Sequence, residues 1–450
     1  MSIGFLLDVF QDNHSRDAIV WREQVFSFGG LREAVESWSR RLEDSGVTPG
    51  SVVSLEADFS PQAIALMLAL VGRRCVIVPL TSSVEARKPE FREIAQVEAV
   101  VRILDDDQAQ IWRTSTTARH PLLGHLKAGG RPGLVLFSSG STGKSKAAVH
   151  DFGPLLEKFT VKRRQLRAMC FLLFDHIGGV NTLLYTLSNA GCVITVRQRL
   201  PEVVCEAIEK WRVELLPTSP TFLNLLLLSE AHKRYDLSSL QMVTYGTEVM
   251  LESTLRRVRE ILPGVELLQT YGLSELGILR SKSRSSDSLW MKIGGEGFET
   301  RVVDGLLEIK ARSAMLGYLN AESPFTPDGW FRTGDAVEVD GDYVRILGRR
   351  SEIINVGGEK VYPAEVESAL QLMEGVADVV ASGERNAITG EVVTAKVRLE
   401  TGETAAEFRQ RMRAFCEGKL ARFKIPQKVV LVTDELRSER FKKLRGTPVR

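Results

Sequence analysis

The sequence predicts an α/β fold: a large N-terminal domain of layered α/β sheets with a small β-rich subdomain, followed by a small C-terminal α+β domain. Three observations predict it. Helix-period and strand-like stretches alternate from the start to Gln269. From Phe298 the pattern changes to short strands broken by Gly and Asp. Behind Gly348-Arg349-Arg350-Ser351-Glu352 a fresh alternation begins, which places the domain boundary between 1–347 and 348–450.

Each element follows from its own spacing. Leu31, Val35, Trp38 and Leu42 recur on one helix face. Gly46 to Gly50 reads as a turn into a strand from Ser51 to Leu55, and a helix from Pro61 to Val71 precedes a strand from Cys75 to Pro79. Strands over 191–196 and 213–217 bracket a helix over 202–211. A strand at 242–244, a helix over 251–261 and a strand at 266–269 follow. Strands over 300–303 and 306–310 form the β-rich part. Strands over 376–381, 392–399 and 428–432, with a helix over 405–419, form the C-terminal part.

At 450 residues the chain is too long for one ordinary core. It is 44% hydrophobic and 26% charged with a net charge of +2, so it has a globular balance and no overall pull toward nucleic acid or membrane. Anionic ligands must be held by local sites. The five cysteines (Cys75, Cys170, Cys192, Cys205, Cys416) are scattered in apolar surroundings with no CxxC spacing, which predicts buried reduced thiols and no zinc site. The opening Met1-Ser2-Ile3-Gly4-Phe5-Leu6-Leu7-Asp8 has no basic n-region, and the longest apolar run, Ala63 to Gly72, is half a membrane span. The expectation is a cytoplasmic protein.

The strongest chemical signal is an apolar strand, Leu134 to Phe137, that runs into Ser138-Ser139-Gly140-Ser141-Thr142-Gly143-Lys144-Ser145-Lys146. Glycines let backbone N–H groups approach phosphate oxygens, hydroxyls add donors, and lysine neutralises charge. A Walker A loop needs four residues between its glycines; Gly140 and Gly143 have two between them, so that reading fails.

Gly140 to Lys146 resembles the phosphate loop of the adenylate-forming (AMP-binding) superfamily of acyl-CoA synthetases, aryl and amino-acid adenylation domains and luciferase-like enzymes. Ser145 stands where that pattern has proline, and Ala147 where it has glycine. Further segments match in family order: Tyr245-Gly246-Thr247-Glu248, Tyr271-Gly272-Leu273-Ser274-Glu275, Gly329-Trp330-Phe331-Arg332-Thr333-Gly334-Asp335, and the long run from Gly348 to Glu367. The resemblance implies that Ser138, Ser139, Gly140, Ser141, Thr142, Gly143, Lys144 and Lys146 surround ATP phosphates. It implies that Gly246, Thr247, Thr270, Tyr271, Gly272 and Ser274 line the nucleotide, that Asp335 accepts from the ribose hydroxyls, and that Arg349 contacts the ribose. Glu275 would hold Mg²⁺, since a hard cation that keeps its waters suits one carboxylate plus phosphate oxygens.

Phe174-Asp175-His176-Ile177-Gly178-Gly179 sits where acyl-CoA synthetases have an aromatic–His gate, which implies His176 beside the carboxylate. Phe174-Asp175 also resembles the segment of amino-acid adenylation domains that grips an α-amino group. The acyl pocket would draw on His176, Gly178, Gly179, Thr218, Phe222, Tyr245, Gly246 and Gly277. The family's catalytic lysine falls on Lys443 or Lys442, depending on the counting origin, in a stretch that lacks the family's Pro and Gly. That lysine would stabilise charge developing in adenylation.

The implied activity joins a small carboxylic acid to ATP with release of pyrophosphate. A mobile C-terminal cap then rotates about Arg349 to Glu352, and a thiol takes the acyl group. The acceptor would be coenzyme A or the phosphopantetheine of an acyl carrier protein, with Gly357-Gly358-Glu359 favouring coenzyme A. Alternatives are an enzyme that loads an aryl, acyl or amino acid onto a carrier protein, and a nucleotide-binding homologue without turnover.

Overall fold

A computed structural model describes residues 3–139, 145–437 and 443. Two seven-stranded sheets dominate it. The first runs Glu266–Gln269, Met242–Tyr245, Leu215–Thr218, Arg167–Met169, Cys192–Ile194, Asp17–Trp21 and Gln24–Ser27. The pairings are parallel up to the final hairpin. The second sheet runs Gly317–Tyr318, Ser145–Asp151, Gly133–Ser139, Val76–Leu80, Val52–Glu56, Ala99–Ile103 and Ala109–Arg113. Its centre is parallel and both margins are antiparallel.

Alternation along the strands builds the layers. Val53, Leu55 and Ile77 face a core shared with the helices Phe28–Asp44, Pro61–Gly72 and Ile177–Ser188. Val52, Val76 and Val78 face the opposite way, onto the helices Lys88–Ile94 and Pro121–Ala128. The helices Pro201–Trp211, Pro220–Ser229 and Glu252–Ile261 cover the outer face of the first sheet. Helix Pro61–Gly72 is apolar nearly all round and buried between the sheets, so the run from Ala63 to Gly72 is core. Its start is fixed by Ser60, whose hydroxyl accepts from Ala63 N–H, and by Pro61 in the first turn.

The β-rich part is an antiparallel six-stranded sheet in the order Ser281–Ser283, Met291–Ile293, Tyr343–Arg349, Phe331–Asp340, Leu306–Ala311 and Phe298–Val303. A separate small C-terminal domain folds around the long ribbon Val376–Asn386 with Gly390–Leu399, backed by the helices Pro363–Leu370 and Ala405–Cys416. That last helix stops three residues short of the expected Lys419, because the chain turns at Gly418 with a positive φ of 75°. All five cysteines are free and buried. Burial pushes the thiols of Cys75 and Cys205 up to about 12, so they are inert at neutral pH.

Candidate active site

Strand Gly133–Ser139 turns back on Ser145–Asp151 in antiparallel register, Ser138 opposite Lys146 and Ser139 opposite Ser145. The five expected phosphate ligands Gly140, Ser141, Thr142, Gly143 and Lys144 lie outside the described residues, as does the side chain of Ser139. A Walker loop opens a helix, whereas this loop joins two strands of one sheet, so the topology excludes that motif independently of glycine spacing. Asn320 pins the loop's exit: its Nδ2 donates to the Ser145 carbonyl at 2.9 Å and its Oδ1 accepts from Ala147 N–H at 3.0 Å.

Tyr271 to Glu275 follows the edge strand Glu266–Gln269 and folds into a tight ribbon with Gly277–Ile278. A methyl group at Gly272 would lie 2.8 Å from the Gly277 carbonyl oxygen, so this crossing requires glycine. Glu275 is thereby brought to the loop strand. Its Oε1 accepts from Tyr318 Oη at 2.7 Å and lies 3.5 Å from Ser138 Oγ. Lys146 sits over the Tyr318 ring, 5.4 Å from its centroid. Beneath the ribbon, wholly buried His150 holds the Ser274 carbonyl through Nε2 at 2.6 Å. Nothing in the spacing singled out His150; its place beneath Ser274 is set by pairing between distant segments.

Asp335 and Arg349 are cross-strand neighbours in the β-rich sheet. Asp335 Oδ1 meets Arg349 Nε at 2.8 Å, and Oδ2 accepts from Tyr271 Oη at 2.5 Å. Arg349 also donates to the Thr333 carbonyl at 2.8 Å. Burial pushes the Asp335 carboxyl up, opposed by the Arg349 charge and the Tyr271 hydroxyl. Burial, with the neighbouring Asp335 charge, pushes the Tyr271 phenol well above its ordinary value, so it remains a donor. The result is two carboxylates, Glu275 beside the loop strand and Asp335 behind it, joined through the short segment from Tyr271 to Glu275.

The expected acyl side lies along the ends of the parallel strands. His176 caps the helix Ile177–Ser188, its Nδ1 accepting from Gly178 N–H at 3.0 Å. A methyl at Gly179 would fall 1.9 Å from the Leu173 carbonyl oxygen, and one at Gly178 would lie 2.5 Å from the Leu172 side chain. Both glycines therefore let the helix start close against the loop that precedes it. Asp175 is buried and accepts from Thr81 Oγ1 at 3.0 Å. Thr218 pairs with Tyr245 across adjacent strands, and Phe222 packs against Phe171 with ring centroids 4.5 Å apart. Gly246 approaches Thr270 so closely that a methyl would meet the Thr270 carbonyl at 2.7 Å. Thr247 takes a positive φ of 74°, unusual for a β-branched residue and found where backbone must follow a site. Glu248, whose role the sequence left open, accepts from Thr221 N–H at 2.7 Å and closes the start of helix Pro220–Ser229.

The lysines divide. Lys442 lies outside the described residues. Lys443 is not brought to the carboxylate pair: its Nζ meets Glu367 Oε2 at 3.0 Å and the Val379 carbonyl at 2.9 Å, inside the C-terminal domain. A cleft of about 2210 Å³ has neither Glu275 nor Asp335 in its lining. Glu56, Thr81, Phe174 and Leu225 line it from one side and Arg398 and Arg437 from the C-terminal domain. Among the described residues no group of three or more His, Cys, Asp or Glu side chains clusters as a metal site. A cation here would have Glu275 as its protein carboxylate, and Ser138 Oγ beside that oxygen fits a hydrated ion that completes its shell from phosphate.

A two-domain α/β architecture, with one buried acid held by a tyrosine and an arginine and another beside a hydroxyl-rich strand-to-strand loop, fits a nucleotide-binding enzyme. The chain belongs to the AMP-binding enzyme family, whose model matches residues 8–308, and the family's C-terminal domain matches residues 365–443. It is 28% identical to an indoleacetate–CoA ligase of Aromatoleum aromaticum, over 97% of this chain and 94% of that protein. It is 25% identical to a 2-succinylbenzoate–CoA ligase of Bacillus cytotoxicus, over 95% and 94%. Among solved structures, the o-succinylbenzoate CoA synthetase of Bacillus subtilis with its acyl-adenylate intermediate has the same fold, with a TM-score of 0.80 at 22% identity over 99% of this chain and 98% of that one. No helix among the described residues is long and apolar enough to cross a membrane.

Proposed function

We propose that this chain is an AMP-forming acid–CoA ligase acting on an aryl or arylalkanoic acid. The relatives named for indoleacetate and 2-succinylbenzoate, each matched over nearly its whole length, support that substrate class. The observation that carries the reading is the pairing of Tyr271, Asp335 and Arg349 in one hydrogen-bonded set, with Glu275 of the same segment beside Ser138. ATP lies with its ribose on Asp335 and Arg349 and its phosphates along Ser138 to Lys146. Glu275 would hold Mg²⁺, which when bound would supply positive charge to offset that of the triphosphate.

A carboxylate oxygen of the acid forms a bond to the α-phosphorus, the bond from that phosphorus to the bridging oxygen breaks, and pyrophosphate leaves with the electron pair. The protein's part is positioning and charge stabilisation. Lys442 is the lysine we assign to the developing charge, since Glu367 occupies Lys443. The C-terminal domain, which we take to begin at 348, then rotates about the 3₁₀ turn Arg350–Glu352. A thiol sulfur attacks the acyl carbon, the acyl–oxygen bond breaks, AMP leaves, and the thiol proton passes to solvent. Coenzyme A is the acceptor; a carrier-protein phosphopantetheine would present the same thiol. Cytoplasmic residence follows from the need for ATP and coenzyme A and suits five reduced cysteines. Pyrophosphate release across aryl, fatty and amino acids, followed by thioester formation with coenzyme A, tests the proposal. ATP binding without turnover on any acid would leave a nucleotide-binding homologue instead.

A further inference from the structure

Helix Pro220–Ser229 begins beside the expected acyl pocket, at the end of the strand carrying Thr218. Its residues Thr221, Asn224, Leu225 and Leu228 share one stripe, by the helical period. The apolar half of that stripe, Leu225 and Leu228, lines the large cleft together with Phe174. The polar half lies nearer the helix start, next to Thr218 and its cross-strand partner Tyr245.

Three oxygens there have no hydrogen-bond partner among the described residues: Thr218 Oγ1, Thr221 Oγ1 and Asn224 Oδ1. Their residues are only 1%, 7% and 9% exposed. The local backbone does not use them. Ser219 supplies the helix cap through its own hydroxyl, and Glu248 takes the Thr221 N–H. Buried polar atoms are nearly always satisfied, and three orphans within seven residues, at the head of a helix whose Leu225 and Leu228 line the cleft, point to partners supplied by the ligand. The Asn224 oxygen accepts only, so it calls for a donor, whereas the two threonine hydroxyls can turn to suit either role.

We propose that the acid this enzyme activates carries an N–H or O–H donor on its ring, which Asn224 accepts, with Thr218 and Thr221 completing a polar end to the acyl pocket. The inference rests on the acid-activating reading and narrows it. A plain hydrocarbon acid would leave all three oxygens buried without partners, so the pocket selects against it more strongly than a purely apolar pocket could.

The test compares acids matched in shape and differing in the donor: indoleacetate against benzothiopheneacetate, and para-hydroxyphenylacetate against para-methylphenylacetate. Each is measured with the full-length protein by pyrophosphate release and, in parallel, by thermal shift in the presence of ATP. The donor-bearing acid of at least one pair should be preferred by about tenfold or more in kcat/KM. That preference should collapse in Asn224→Leu, with the donor-free acid gaining. Should Asn224→Leu fail to fold, Thr221→Val and the wild-type ratios decide the matter. Equal kcat/KM within both pairs, or a preference that survives both substitutions, overturns the inference. If no acid releases pyrophosphate, the ligase reading fails, and the pocket is still judged by binding: equal thermal shifts within both pairs overturn it, and a donor-dependent shift lost in the variants supports it.

Discussion

Single side chains set the sharpest expectations. Asp335 faces both Tyr271 and Arg349, and an amide at that position keeps the shape while losing the charge. Asp335→Asn should weaken ATP binding by about 10- to 100-fold, the worth of one or two charge-assisted hydrogen bonds, as read by titration calorimetry. Lys158 makes a different case. Its Nζ donates to the Ile278 carbonyl at 2.9 Å, and burial pushes its ammonium down to about 8. Between about pH 8 and pH 10.5 the folded protein binds fewer protons there than the unfolded chain, so stability rises with pH across that window. Lys158→Met lacks the effect. Thermal unfolding should show the variant ahead at pH 7 and wild type gaining on it up to pH 10.5, a swing on the order of 1–3 kcal/mol. Melting curves that stay parallel through the window would contradict the assignment. Asp335 was legible in the sequence because Thr-Gly-Asp behind Gly-Trp is a dense local pattern. His150 and Asn224 were not, since each gains its meaning only from segments far away in the chain.

At the scale of elements, the sequence spoke clearly where a periodic stretch had caps at its ends. The helix expected over 61–71 spans Pro61–Gly72, held by Ser60 and Pro61. The strand expected over 376–381 continues to Asn386, because it pairs with a partner whose reach local spacing does not encode. Antiparallel margins such as Gly317–Tyr318 on Ser145–Asp151 escaped notice for the same reason, although that pairing is what brings Tyr318 to Glu275. The entry to helix Ile177–Ser188 offers a test of packing against chemistry. Gly179 touches the preceding loop so closely that Gly179→Ala must displace the Leu173 backbone. We expect a loss of about 1–3 kcal/mol from overpacking, seen as a lowered melting temperature, together with a raised KM for the acid and little change for ATP. A change confined to ATP would place the acyl pocket elsewhere.

For the whole molecule, the two lysines distinguish fold from catalysis. Glu367 is fully buried and takes Ala381 N–H on Oε1 and Lys443 on Oε2. Lys443→Met should therefore destabilise the C-terminal domain by about 3–5 kcal/mol, because a buried carboxylate loses its cation. Lys442→Ala should slow pyrophosphate release by about 100-fold or more. The converse pattern would return the catalytic role to Lys443. The division into a large and a small domain was readable from a second alternation behind Gly348; how the two face each other was not, since it depends on surfaces that no repeat in the chain announces. Arg349 joins these scales. It is the last residue of its strand, its guanidinium is fastened to the acid we assign to the ribose, and the next three residues form the turn on which we propose that the small domain swings. On that proposal the pivot is moored to the nucleotide's own berth, and a departing AMP would slacken the mooring at the moment the small domain must return for another round.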